Sequence, residues 1–233
     1  MSAVAASPPA GGRPASRSRL QRFMTSSIGL KLVMALTGVL LSFFVLGHML
    51  GNLQAFQGAE AIDDYGKLLR KEPALLWTAR LGLLAAVGLH IYAFLALTKK
   101  NKQAREVGYR EKKHREASYA SRSMTITGPL ILAFIIFHIL HMTTGTVHSS
   151  FEEGAVYHNL ATGLTGLVGL IYILAMAMLS LHLWHGVWSM LLTLGLPEGR
   201  YGSVGRTAAT VFTALVTLGF IAIPAAVMTG LIK

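Results

Sequence analysis

The sequence predicts an all-α fold, an integral membrane bundle of five transmembrane helices. Three observations predict it. First, the 233 residues are 53% hydrophobic and only 13% charged, against about 25% charged in soluble domains. Second, five segments reach the roughly 20 apolar residues that a helix needs to cross a bilayer. Strands are excluded there, because open sheet edges cannot sit in lipid. Third, the basic residues behind the net charge of +11 fall mostly in blocks beside apolar runs. That placement suits an anionic membrane surface and argues against nucleic acid as the partner. With no cysteine in the chain, disulfides, zinc thiolate sites and protein-held iron–sulfur clusters are ruled out. Any redox chemistry needs a bound cofactor with non-thiol ligands.

Taken in order, residues 1–22 read as a disordered basic tail, rich in Ala, Pro, Gly and Ser up to Arg19. A signal peptide is the rival. However, the apolar run that begins near Leu30 is about 20 residues long and has no small-residue cleavage site at its end, so it reads as a retained helix. Residues 23–233 form the membrane domain, with helices expected at about 29–51, 74–98, 124–146, 159–193 and 206–231. The fourth is over-long and should tilt or project. Each contains glycine, which permits close helix packing, and Pro129 and Pro224 mark local bends. The tail up to Lys31 holds five Lys or Arg, the 99–123 connection nine, and Arg200 and Arg206 lie in the last connection. The other side has Lys67, Arg70, Lys71 and Lys233, offset by Glu60, Asp63, Asp64, Glu72, Glu152 and Glu153. The positive-inside rule therefore puts the N-terminus in the cytoplasm and the C-terminus outside.

Nine histidines are present. His114, His148 and His158 fall in connections or at helix ends and read as solvated. The other six lie in the first four spans: His48, His90, His138 with His141, and His182 with His185. A lone intramembrane histidine is most simply a neutral ring bonded to a neighbouring carbonyl, though ionisable groups in lipid are functional candidates by default. Four helices that each supply at least one ring form a stronger pattern. A b-type haem takes two axial imidazoles from facing helices, and iron so filled passes electrons rather than binding oxygen. Depth suggests the partners. At 1.5 Å per residue, His48 lies about 24 Å from the inner boundary, His138 and His141 roughly 16 and 21 Å, His90 about 12 Å, and His182 roughly 12 to 18 Å. His48 thus pairs outward with the third helix and His90 inward with the fourth. Within each close pair, a spacing of three turns the rings about 60° apart, so only one can bind a given iron. Depth leans to His141 in the third helix and leaves the fourth open.

These residues sit in "GVLLSFFVLGHMLGN" around His48, "LLAAVGLHIY" around His90, "TGPLILAFIIFHILH" ending the third span, and "LHLWHGVWS" in the fourth. In order and placement they resemble the membrane-anchor cytochrome b of succinate dehydrogenases and fumarate reductases, in its single-chain, five-helix, di-haem type. The resemblance covers about residues 27–230. It implies that the third-span ligand follows Thr127-Gly128 by ten positions, at His138. The fourth-span ligand precedes Gly186-Val187-Trp188-Ser189 by four, at His182. It pairs His48 with His138 at an outer haem b and His90 with His182 at an inner one. His141 and His185 are left as propionate contacts or wall residues. Arg80 and Arg122 are further propionate candidates; Ser26, Ser27, Lys31 and Arg122 are quinone candidates at the inner edge, and Asp63, Asp64, Glu72 and Arg80 at the outer edge. The resemblance implies a flavoprotein subunit, an iron–sulfur subunit and a quinone, menaquinone in this class, as partners. The place is the bacterial cytoplasmic membrane. The alternatives are a di-haem anchor of a hydrogenase or formate dehydrogenase, a proton-coupled transporter, or an anchor without haem.

Overall fold

The structure, a computed structural model, describes residues 18–103, 119–196 and 202–233. Among these residues all regular structure is helical: α1 (Arg19–Met24), α2 (Ser27–Asn52), a 3-10 turn (Leu53–Gln57), α3 (Ala59–Arg70), α4 (Pro73–Gln103), α5 (Tyr119–Met142), α6 (Val156–Gly163), α7 (Gly166–Thr193) and α8 (Gly202–Met228). Five stretches are long and apolar enough to span a membrane: Ser27–Gln57, Pro73–Gln103, Ser123–Met142, Gly166–Thr193 and Gly202–Met228. Most of the 1–22 tail lies outside the described residues. Its last part enters α1, started by a capping box between Ser18 and Gln21.

Local signals explain the boundaries. Ser26 caps α2 by accepting from the Gly29 amide at 2.9 Å. Pro73 opens α4 at a position where its missing N–H costs nothing. The third span ends at Met142, four residues before its expected limit, where the chain turns through Gly145 at φ +69° against Phe151. The expected fourth span at 159–193 is two helices rather than one. α6 ends at Gly163, and Gly166 at φ +49°, a conformation that suits glycine, begins α7. Pro129 and Pro224 both lie inside continuous helices, α5 and α8.

The spans form two antiparallel neighbours, α2 on α4 and α5 on α7, joined where α2 lies on α7; α8 covers α7 and α2. Two apolar clusters hold them. One, at the end where α2 and α5 finish, joins Ala55, Ile62, Leu160, Leu164 and Tyr172 to Ile223 and Val227 of α8. The other joins Leu183 and Val187 of α7 to Ala209 and Val216 of α8. The remaining surface is apolar and exposed, with Ile28 at 75% and Leu167 at 74%, as lipid-facing side chains require. The short amphipathic α3 buries Ile62 and exposes its charges, including a Lys67–Asp64 pair at 2.8 Å. Its Asp63 accepts from the Tyr157 amide at 2.9 Å, capping α6 from another helix.

Candidate functional site

Four intramembrane histidines come together in two pairs. His48, one turn from the end of α2, faces His138, one turn from the end of α5, with ring centroids 5.8 Å apart. His90, midway along α4, faces His182 of α7 at 6.3 Å. The pairs occupy different levels. His90 touches Thr37, eleven residues before His48 on α2, which is about 16 Å along a helix. In each pair the two carrier helices make little or no direct packing contact, α2 with α5 or α4 with α7. The rings bridge gaps between helices held in place by other neighbours.

The helices prepare the rings by regular spacing. Phe44, Phe134 and Phe137 each precede a histidine by four residues, one turn along the same face. They stack on His48 at 5.4 Å, His138 at 5.9 Å and His141 at 5.3 Å. Thr-Gly recurs eleven residues before His48 and His138, as Thr37-Gly38 and Thr127-Gly128. Both glycines face the inner pair: a Cβ on Gly38 would lie 3.9 Å from His90 Cε1, and one on Gly128 would lie 4.0 Å from His182 Cε1. The same unit in two helices therefore leaves room beside both rings of the pair.

Hydroxyls engage the ring nitrogens. Thr37 Oγ1 lies 3.0 Å from His90 Nδ1 and donates its own proton to the Val33 or Met34 carbonyl, at 2.8 and 3.1 Å. The Tyr172 hydroxyl of α7 lies 3.2 Å from His138 Nδ1 and 3.0 Å from His141 Nδ1. The Asn52 amide nitrogen lies beside both nitrogens of His48, 3.3 Å from Nδ1 and 3.4 Å from Nε2, and donates to the His48 carbonyl at 2.7 Å. His182 Nδ1 is buried without a protein partner. At His90 and His138 an oxygen beside Nδ1 can take the ring hydrogen, which leaves Nε2 free to meet a metal.

This donor set fits a bis-imidazole haem. Imidazoles on opposite sides of one metal, at bonds of about 2 Å, have centroids roughly 6 Å apart. Each pair supplies two such rings across a gap between helices. No group of three His, Cys, Asp or Glu side chains able to hold a bare ion occurs among the described residues; a porphyrin brings its own equatorial nitrogens, so a pair is sufficient.

The remaining candidates are more dispersed. His141 is buried beside His138, at 3% exposure. His185 is half-buried, one turn after His182. Arg80 is exposed and lies over the Trp77 ring at 5.1 Å. Ser27 and Lys31 are exposed in the first turns of α2. Arg122 belongs to α5, with its side chain outside the described residues. Trp184 donates to Thr210 Oγ1 at 3.1 Å, and Trp188 lies under Arg206 at 5.0 Å. The expectation that His148 is solvated is wrong. It is 8% exposed, its ring centroid is 4.7 Å from that of His141, and neither ring nitrogen has a partner. The loop after α5 folds it back over Gly163, where no side chain stands in its way. Of the expected solvated rings, His158 does lie at the surface, 2.9 Å from the Ser150 carbonyl, and His114 lies outside the described residues.

Tyr172 and Thr37 were missed by sequence reasoning. The available signal was a polar tip inside an apolar run, about three turns from a histidine on the same helix.

A family model described as "Succinate dehydrogenase/Fumarate reductase transmembrane subunit" matches residues 99–223, which contain His138, Tyr172 and His182. No curated protein and no solved structure matches the chain. The matched stretch is more than half of the sequence and carries one histidine of each facing pair, and the chain belongs to the succinate dehydrogenase/fumarate reductase transmembrane subunit family.

Proposed function

We propose that the protein is the quinone-reactive, di-haem membrane anchor of a succinate:quinone oxidoreductase in a bacterial cytoplasmic membrane. The observation that carries this reading is the pair of facing histidine couples at two levels, set in a transmembrane subunit of this family. His48 and His138 hold one haem b and His90 and His182 the other; when bound, the haems supply one-electron carriers between an iron–sulfur subunit and menaquinone. The protein's own part is to present neutral imidazoles and to keep water from the metal. It also spaces the two sites along the membrane normal. His141 and His185 are wall residues in this assignment.

The charge distribution supports an orientation with the N-terminus and the 99–123 connection in the cytoplasm. The basic surface there suits a soluble iron–sulfur subunit, which carries a flavoprotein subunit in turn. Residues 1–22 form a tail on that side, ahead of the membrane domain at 23–233. Ser27, Lys31 and Arg122 are the proposed quinone contacts at that edge, and Arg80 and Arg122 the proposed propionate contacts.

Single substitutions in the purified complex test the assignment. His138→Ala and His182→Ala should each lower haem content from two to one per chain, whereas His141→Ala and His185→Ala should leave two. The reverse pattern, with haem lost on replacing His141 or His185 and kept on replacing His138 or His182, would reassign the ligands.

A further inference from the structure

The Tyr172 hydroxyl meets two imidazoles but has one proton. It can donate to one Nδ1 and must accept from the other. If His138 binds metal through Nε2, its Nδ1 carries a hydrogen and donates to Tyr172 Oη at 3.2 Å. Tyr172 then donates to His141 Nδ1 at 3.0 Å, which leaves the His141 hydrogen on Nε2. The hydroxyl itself is fixed by packing. Tyr172 is 8% exposed, and Phe134 and Phe137 hold its ring edge-on with centroids at 5.0 and 6.1 Å.

The same device at the other level differs in one respect. His90 meets Thr37, whose proton is spent on its own helix carbonyls. Thr37 stands on α2, which carries His48, and Tyr172 stands on α7, which carries His182. Each helix therefore braces a ring of the couple to which it contributes no histidine.

We propose that Tyr172 is a positioning residue for His138: it fixes the tautomer and rotation of that ring and ties it to His141 in one directed hydrogen-bond chain, His138 to Tyr172 to His141. This rests on the reading of His138 as a haem ligand. An acceptor on the Nδ1–H makes an imidazole a stronger donor to iron and favours the oxidised metal. Tyr172 thus holds the outer haem at a lower potential than His138 alone would give.

The test is a redox titration of both haems in the intact complex, with low-spin EPR. The outer haem is the one whose signal is lost in His138→Ala. In Tyr172→Phe two haems per chain should remain, and the outer haem should become easier to reduce. Its reduced-to-oxidised ratio at fixed ambient potential should rise by up to about tenfold, or about 59 mV for one electron. Its EPR signal should shift while the inner haem stays unchanged. Thr37→Val should do the converse, moving only the inner haem, and Thr37→Ser should restore it. If Tyr172→Phe loses the outer haem outright, His141→Phe decides, since it removes only the acceptor of the Tyr172 proton. It should move the same haem in the same direction by less. Two haems with unchanged outer potential and EPR signal in Tyr172→Phe, or in His141→Phe where that variant decides, would overturn the role of Tyr172 and leave the ligand reading intact. Absence of haem from the unsubstituted complex would overturn both.

Discussion

Gly163 shows how tightly single residues are constrained around the histidines. A methyl group there would run into His148 Nε2 and come within 2.9 Å of His141 Cε1. The His141 ring cannot retreat easily, since it stacks on Phe137 and bonds Tyr172. Overpacking of this kind costs about 1–3 kcal/mol. Gly163→Ala should therefore lower the melting temperature of the detergent-solubilised protein, and an unchanged melt would mean that the two rings have room. Which helices pair through their histidines was legible in the sequence, because a titratable ring in lipid calls for a reason and helix rise converts residue number into depth; depth leaned to His141, however, and only the resemblance pointed to His138 and His182, the rings that face His48 and His90. The hydrogen-bond partners of the rings were not legible. Ser and Thr in membrane helices commonly bond a carbonyl of their own helix, as Thr127 does to Ser123 at 3.1 Å. That Tyr172 meets His138 and His141 depends on the rotation of α7 about its axis, and hydropathy carries no information on rotation. His148 was misread because it lies six residues past the last residue of α5, in a polar stretch that folds inward only through Gly145.

At the scale of elements, the spans were readable and their breaks were not. Five apolar runs of sufficient length give five helices, since every backbone group in lipid must be bonded within its own segment. The interruption at 164–165 lies within "LATGLTGLVG", which is apolar enough to continue a helix on either side. A single positive φ at Gly166 decides the matter. Gly166→Ala would strain that turn by about 1 kcal/mol or more, and a shift in the melt reports it. The α3–α6 contact gives a second prediction. Asp63 satisfies the Tyr157 amide at the half-buried start of α6, so Asp63→Ala should cost about 0.5–2 kcal/mol. Faster hydrogen exchange at the first amides of α6, with α2 unaffected, is the expected signature. Equal protection in both proteins would show that the cap contributes nothing. Asp63 was not assigned this role from sequence, because a cap supplied by another helix depends on tertiary packing.

For the whole molecule, the arrangement of helices explains why the histidines meet in two separate couples. α2 and α7 lie together, α4 flanks α2, and α5 flanks α7. Each histidine couple therefore joins one central helix to a flanking helix that does not pack against it. The sequence supplied helix number and histidine depth, but not which helices touch, since lipid-facing and helix-facing residues are equally apolar. Orientation is a further prediction at this scale. With five spans the ends would lie on opposite sides, and the positive-inside rule predicts a cytoplasmic N-terminus from the basic connections. Reporters fused at each end should be active in the cytoplasm at the N-terminus and outside at the C-terminus; the opposite result would invert the bundle. The central claim is that four histidines on four helices hold two haems. Its most direct test is the haem content of the purified, unsubstituted complex, read with its reduced-minus-oxidised spectrum. Two low-spin b haems per chain are expected, while a ratio of one, or none, would contradict it.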